Sequence, residues 1–337
     1  MTNVTKTYNI LLRALILSAA YGFIVYEVFK QQSVLTPLLQ FKNQFIELQL
    51  WYKAVAIVGL MLLNWGLEAL KWKYLVSKIE KISFLLAFKA VFAGLTASIF
   101  TPNRVGEYFG RVFLLKQSNP LKGILITILG SMAQLVVYGV VGSFCFVYYL
   151  SEYQGFASYL GGHFQSICYT ALLAFGLVML VLFLNVNLIT KLGNRLIPRK
   201  WHKVKYYLRT FGLFSKQELF VVLAISFLRY CVFTFQYFYL LTMFGLNLPV
   251  IQLLVGIAVI FFIMTAIPTF ALAELGIRST VALWVLGGML NQYGQDPSLS
   301  TLSIVSAASA LWVVNLGFPA LLGGVFVRKL HFFKKNR

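Results

Sequence analysis

Long apolar runs alternate with short basic segments along this chain. Runs at about 8–29, 53–70, 121–150, 165–186, 217–244 and 301–327 are each long enough to cross a hydrocarbon core of roughly 30 Å at about 1.5 Å per helical residue. The pattern predicts six full helical spans. Two other apolar runs are shorter and broken. One covers about 84–100, meets Thr101-Pro102 and continues with charges through 103–117. The other covers about 250–267, meets Pro268 and continues through 271–288. The first run, with Lys6, Arg13 and the small residues Ser18-Ala19-Ala20, imitates a secretion signal. Its apolar stretch continues past those residues, so a retained span is predicted.

The charges between the runs set a topology. Lys71, Lys73, Lys78 and Lys81 follow the second run. Lys191, Arg195, Arg199, Lys200, Lys203, Lys205, Arg209 and Lys216 fill the segment 187–216, and the tail 328–337 is basic. Segments 151–164, 245–249 and 289–300 hold no Lys or Arg. The positive-inside rule places the first set, with both termini, in the cytoplasm and the second set outside. Loop 30–52 runs against this, because topology puts it outside despite Lys30 and Lys42. Parity then requires 84–117 to return to the side it entered from, as a re-entrant hairpin. For 250–288, a second hairpin and two full spans satisfy parity equally.

Two membrane halves follow, 1–150 and 151–337, each read as span, span, broken segment, span, with opposite starting sides. Broken segments at matching positions of such an inverted repeat point to a transport site near the bilayer midplane.

Composition narrows the class. Of 337 residues, 60% are hydrophobic and 11% charged, with a mean hydropathy of +0.81. A soluble domain carries about 25% charged residues, and disorder needs the opposite balance. An all-α polytopic membrane protein is left, located in the plasma (inner) membrane. The net charge of +20, from 29 Lys and Arg against 9 Asp and Glu, reflects cytoplasmic loops and not nucleic acid. Cys145, Cys168 and Cys231 lie in apolar runs and His163, His202 and His331 are scattered. Neither set implies a metal or a cofactor.

Candidate chemistry sits in the broken segments. Pro102 is followed by Gly106, Glu107 and Arg111, and Pro268 by Glu274, Gly276 and Arg278. Each Glu precedes its Arg by four residues, which puts the two on one helical face in the favourable order. A Pro suits the first helical turn. Each segment therefore turns at its Pro and Gly and begins a short helix whose bare N–H groups favour an anion. Charges at membrane depth are expensive and functional. Lys89, Arg104, Arg111, Arg229 and Arg278 outnumber Glu107 and Glu274, a balance that suits a phosphate. The competing reading is that each Glu–Arg pair only neutralises itself. Lys89 reads as a snorkelling residue and Glu68 with Lys71 as an interfacial pair. Asn64, Gln134 and Gln236 read as interhelical hydrogen bonds, and Arg229 is expected to reach Glu274, Glu107 or a ligand. The basic stretch 191–209, interleaved with Trp201, Tyr206 and Tyr207, reads either as a plain loop or as an interfacial helix.

The run Thr101-Pro102-Asn103-Arg104-Val105-Gly106-Glu107 resembles the Pro-x-Arg-x-Gly-Glu signature of the lysylphosphatidylglycerol synthase membrane region, or flippase-like domain, family. Pro268 to Glu274 resembles that family's late Pro-to-Glu segment, with Phe270 and Leu272 where glycines are usual. The resemblance spans nearly the whole chain. It implies movement of an anionic or polyprenyl-phosphate-linked lipid between leaflets. Arg104, Glu107, Arg111, Arg229, Glu274 and Arg278 would be the substrate-binding residues, and the partner would be a lipid-phosphate headgroup. About ten residues follow the last run, so aminoacyl transfer by this chain is not expected. A membrane-embedded enzyme on lipid-linked phosphate or sugar, and a non-catalytic partner in envelope synthesis, are the alternatives. No catalytic constellation is visible, and the single Asp, Asp296, falls in a loop.

Overall fold

The computed structural model describes residues 51–99, 101–153, 162–269, 273–292 and 297–327. The predicted span at 8–29, loop 30–52 up to residue 50, and the basic tail lie outside them. Among the described residues every regular element is helical. In chain order these are α1 (Trp51–Val76), α2 (Phe84–Ser98), α3 (Gly106–Val112), α4 (Pro120–Tyr153), α5 (Gly162–Leu184), α6 (Asn187–Leu196), α7 (His202–Leu208), α8 (Lys216–Met243), α9 (Val250–Ala266), α10 (Ala273–Gln292), α11 (Pro297–Trp312) and α12 (Phe318–Val327). Among the described residues six helical stretches are long and apolar enough to cross a membrane: 51–76, 120–153, 166–184, 216–243, 273–291 and 300–326. The protein is an all-α integral membrane protein. Five of these stretches coincide with predicted spans, and the sixth is the second arm of the late broken segment.

The two broken segments differ in that second arm. The seven residues of α3 extend only about 10 Å, and the 15 of α2 about 22 Å. The 20 residues of α10 extend about 30 Å, enough to cross. In 250–288 the second arm is thus long enough to cross, while the first, the 17 residues of α9, is a shorter apolar helix.

The chain forms two compact units, each drawing on both sequence halves. One contains the described parts of 1–127, 268–275 and 312–337, and the other 128–267 and 276–311.

In the first unit α2 is the central element. Its sequence carries small residues at Ala87, Ala90, Ala93, Gly94 and Ala97, the spacing that lets membrane helices approach closely. α3 folds back along it, with Gly110 beside Gly94 and Gly106 beside Ala97. On another face the Thr96 hydroxyl donates to the Ala320 carbonyl of α12 at 2.7 Å, and Gly323 sits on the Phe92 carbonyl. α1 joins through Trp65 against the Phe92 ring and through Asn64, whose Nδ2 donates to Asn315 Oδ1 at 3.3 Å. Asn315 lies in a π-turn, Val313–Gly317, that interrupts the last span. Pro319, four residues beyond Asn315, lacks the N–H an α-helix would direct to the Asn315 carbonyl, so the ladder slips there.

The second unit packs α4, α8 and α9 around stacked aromatic rings. Phe261 stacks on Phe233 with centroids 4.9 Å apart and also meets Tyr138, Tyr230 and Tyr237. Gln134 donates to the Ser226 carbonyl at 3.3 Å, an interhelical bond as expected. The start of α8 is fixed by a capping box in which Ser215 and Glu218 satisfy each other's N–H groups. α5 has 11% of its apolar window buried, so most of its side chains are left for lipid.

Candidate functional site

The first broken segment begins where α2 ends. The Thr101 hydroxyl accepts from the Gly106 N–H at 2.7 Å, while Pro102–Arg104 form a single 3₁₀ turn. Asn103 and Arg104 both have left-handed backbone, φ 49° and 56°. Two consecutive non-glycine residues in that region store on the order of 1–3 kcal/mol each. The strain is held by a reciprocal clamp. The Asn103 N–H donates to the Thr269 carbonyl at 3.0 Å, and the Thr269 N–H donates back to Asn103 Oδ1 at 3.1 Å. Thr269 is one residue beyond Pro268, so the two breaks are tied together.

This clamp changes the expected chemistry of the first break. The N–H groups of residues 103, 104, 105 and 106 bond to Thr269, Thr101, Pro102 and the Thr101 hydroxyl. They are not an open anion site. The only cationic side chain in the turn is that of Arg104. It is 32% exposed and its Nη2 lies 2.5 Å from Glu274 Oε2, on the first turn of α10. Glu274 is therefore partnered across the two breaks by Arg104, a pairing that i, i+4 spacing does not reveal.

Four further charges form a buried network behind the turn. Arg111 contacts Glu107 through Nη2 and Glu68 through Nη1 at 2.8 Å. Lys71 Nζ lies 2.8 Å from the other Glu68 oxygen. Lys71 is 1% exposed, Arg111 3% and Glu68 4%. The helical pairing of Glu107 with Arg111 is present, but the guanidinium is committed to two carboxylates and is not presented to a ligand. Glu68 and Lys71, expected at an interface, are core residues of the first unit. Their position was readable, because 57, 61, 64, 68, 71, 72 and 75 recur at helical spacing and all are buried.

The remaining expected residues fall elsewhere. Arg229 donates to Gln134 Oε1 at 3.4 Å within the second unit. Arg278 is buried and lies 6.0 Å over the Phe233 ring, a cation–π distance. Gly276 lies inside α10 and not at a break, and Pro268 is exposed between α9 and α10. Lys89 is half-buried in the second turn of α2.

Outside the spans, Glu80 ties α1 to the segment leading into α4. Its carboxylate accepts from the N–H groups of Lys116, Gln117 and Ser118, each at 2.9 Å, and from the Ser118 hydroxyl at 3.0 Å. Partial burial pushes this carboxyl up, but the four hydrogen bonds outweigh burial and hold it below its usual value.

The family model described as Lysylphosphatidylglycerol synthase TM region matches residues 14–323. No curated protein and no solved structure matches the chain.

Proposed function

The chain belongs to the lysylphosphatidylglycerol synthase transmembrane-region family, and on that basis we propose that it is a lipid flippase. It moves an anionic phospholipid or a polyprenyl-phosphate-linked lipid between leaflets, with its basic loops toward the cytoplasm. The observation that carries this reading is Arg104. It is a partly exposed guanidinium on a strained, clamped turn, balanced by the carboxylate of Glu274 on another helix.

A phosphate headgroup competes with Glu274 for that guanidinium, because each offers a pair of anionic oxygens that an arginine fork can bind. Headgroup arrival releases Glu274, and headgroup departure lets the ion pair reform. Protonation of the released Glu274 is the step at which a proton gradient couples to transport. In this reading α2 and α3 form a re-entrant hairpin. Its support is that α3 is about 10 Å long, a third of the hydrocarbon core. The acyl or prenyl chains stay in lipid while the headgroup crosses.

The test is transbilayer movement of a fluorescent anionic lipid in vesicles holding the purified full chain. Arg104→Ala is expected to abolish movement while Arg104→Lys retains part of it, both folding normally. Movement at the parent rate by Arg104→Ala rejects the assignment. Chemical conversion of the labelled lipid would point instead to an embedded enzyme.

A further inference from the structure

We propose that residues 187–213 are a second lipid-recognition element: an interfacial platform that lies on, and prefers, an anionic membrane surface. α6 begins at Asn187, with only Asn185 and Val186 between it and the end of the apolar helix α5 at Leu184. A span is thus followed almost at once by an amphipathic helix, which keeps that helix at the level of the headgroups.

The faces of α6 are sorted by what they touch. Thr190 donates to the Leu208 carbonyl at 2.9 Å, and a Cβ on Gly193 would meet Leu208 Cδ1 at 2.7 Å. That face is used against α7. At about 100° per residue, Leu188, Ile189, Leu192 and Leu196 occupy a separate arc, and all four are exposed, Leu196 at 73%. Among the described residues none buries this arc, and exposure along it is greatest at Leu196. Lys191 and Arg195 lie along one edge of it and are exposed.

The occupant is argued from charge and placement. Residues 187–214 contain no Asp or Glu, and Lys200, Lys203, Lys205 and Arg209 continue the basic run past α6. Trp201 and Tyr206 are exposed among them, rings that favour the headgroup level of a bilayer. A leucine ridge edged by cations is the arrangement that inserts at the acyl boundary while its charges meet anionic headgroups. This element is distinct from Arg104 and does not depend on the transport reading.

The experiment uses the full chain in nanodiscs, with Cys145, Cys168 and Cys231 replaced by Ala. A single environment-sensitive fluorophore is placed at position 192 or 196. Brominated acyl chains are expected to quench both labels in discs containing phosphatidylglycerol, and less in pure phosphatidylcholine. Lys191→Glu and Arg195→Glu are expected to shift the inserted-to-free ratio on the order of fivefold each in the anionic discs. Labels quenched by aqueous iodide and untouched by brominated lipid would overturn the platform. Equal quenching in both disc types, unaffected by the charge reversals, would overturn its anionic preference. Both outcomes can arise whether or not lipid is translocated.

Discussion

Replacing Arg111 with Met should be among the most damaging single changes to this fold. The parent network holds two positive charges, Lys71 and Arg111, against two negative, Glu68 and Glu107, all within the first unit. Arg111→Met leaves two carboxylates against one ammonium, a net buried charge of −1. A unit pair about 4 Å apart at an effective dielectric of about 20 is worth roughly 4 kcal/mol. Removing one partner of a buried pair is destabilising by about 3–5 kcal/mol for the same reason. The assay is denaturant or thermal unfolding of the purified protein in detergent. The argument makes a sharper statement about the double variant. Arg111→Met with Glu107→Gln restores charge balance, with Glu68 and Lys71 remaining as a pair at 2.8 Å. It should unfold at a higher midpoint than Arg111→Met alone, with a coupling of at least about 1 kcal/mol. Additive losses in the two variants would show that Arg111 acts by packing alone and would refute the charge-balance account.

Gly106→Ala should destabilise by at least about 1–3 kcal/mol, because a Cβ there overlaps the Ala97 carbonyl, and thermal melting reads this directly. Glu80 should make the α1–α4 connection sensitive to acid. Its carboxyl is held below the usual value in the folded state, so its contribution is present above the unfolded value of about 4.3 and is lost as pH falls through the lower folded value. Hydrogen exchange at Lys116–Ser118 should accelerate on acidification, relative to intrinsic rates, and Glu80→Gln should remove most of that dependence. Asn103→Gly should relieve the left-handed strain at φ 49° yet loosen the tie to Thr269. Faster exchange at Thr269 with little change in melting is the expected signature, and unchanged exchange would count against the clamp.

The Pro102 to Arg111 segment was legible because its chemistry is local. A Pro after an apolar run, a Gly and an i, i+4 Glu–Arg pair are all one-dimensional facts. The structure keeps the break and the Glu107–Arg111 contact. Arg104 with Glu274 was not legible, because the two residues are 170 positions apart and local spacing paired Glu274 with Arg278 and assigned Arg104 no carboxylate. The open anion site expected at the first break fails for a related reason. A sequence counts bare N–H groups but does not show that the Thr101 hydroxyl and the Thr269 carbonyl accept from two of them.

By itself the sequence determined the solvent of this protein. Apolar runs of span length with few charges can satisfy their backbone only as helices in lipid, so the helical class, five of the span positions and the break at Pro102 are properties of the chain. The tertiary structure decided which charges are spent and which remain available. Burial of Glu68, Lys71 and Arg111 depends on α1, α2 and α3 meeting at small residues, and long-range contact is what turns a list of ionisable residues into one neutral network and one partly exposed Arg104–Glu274 pair.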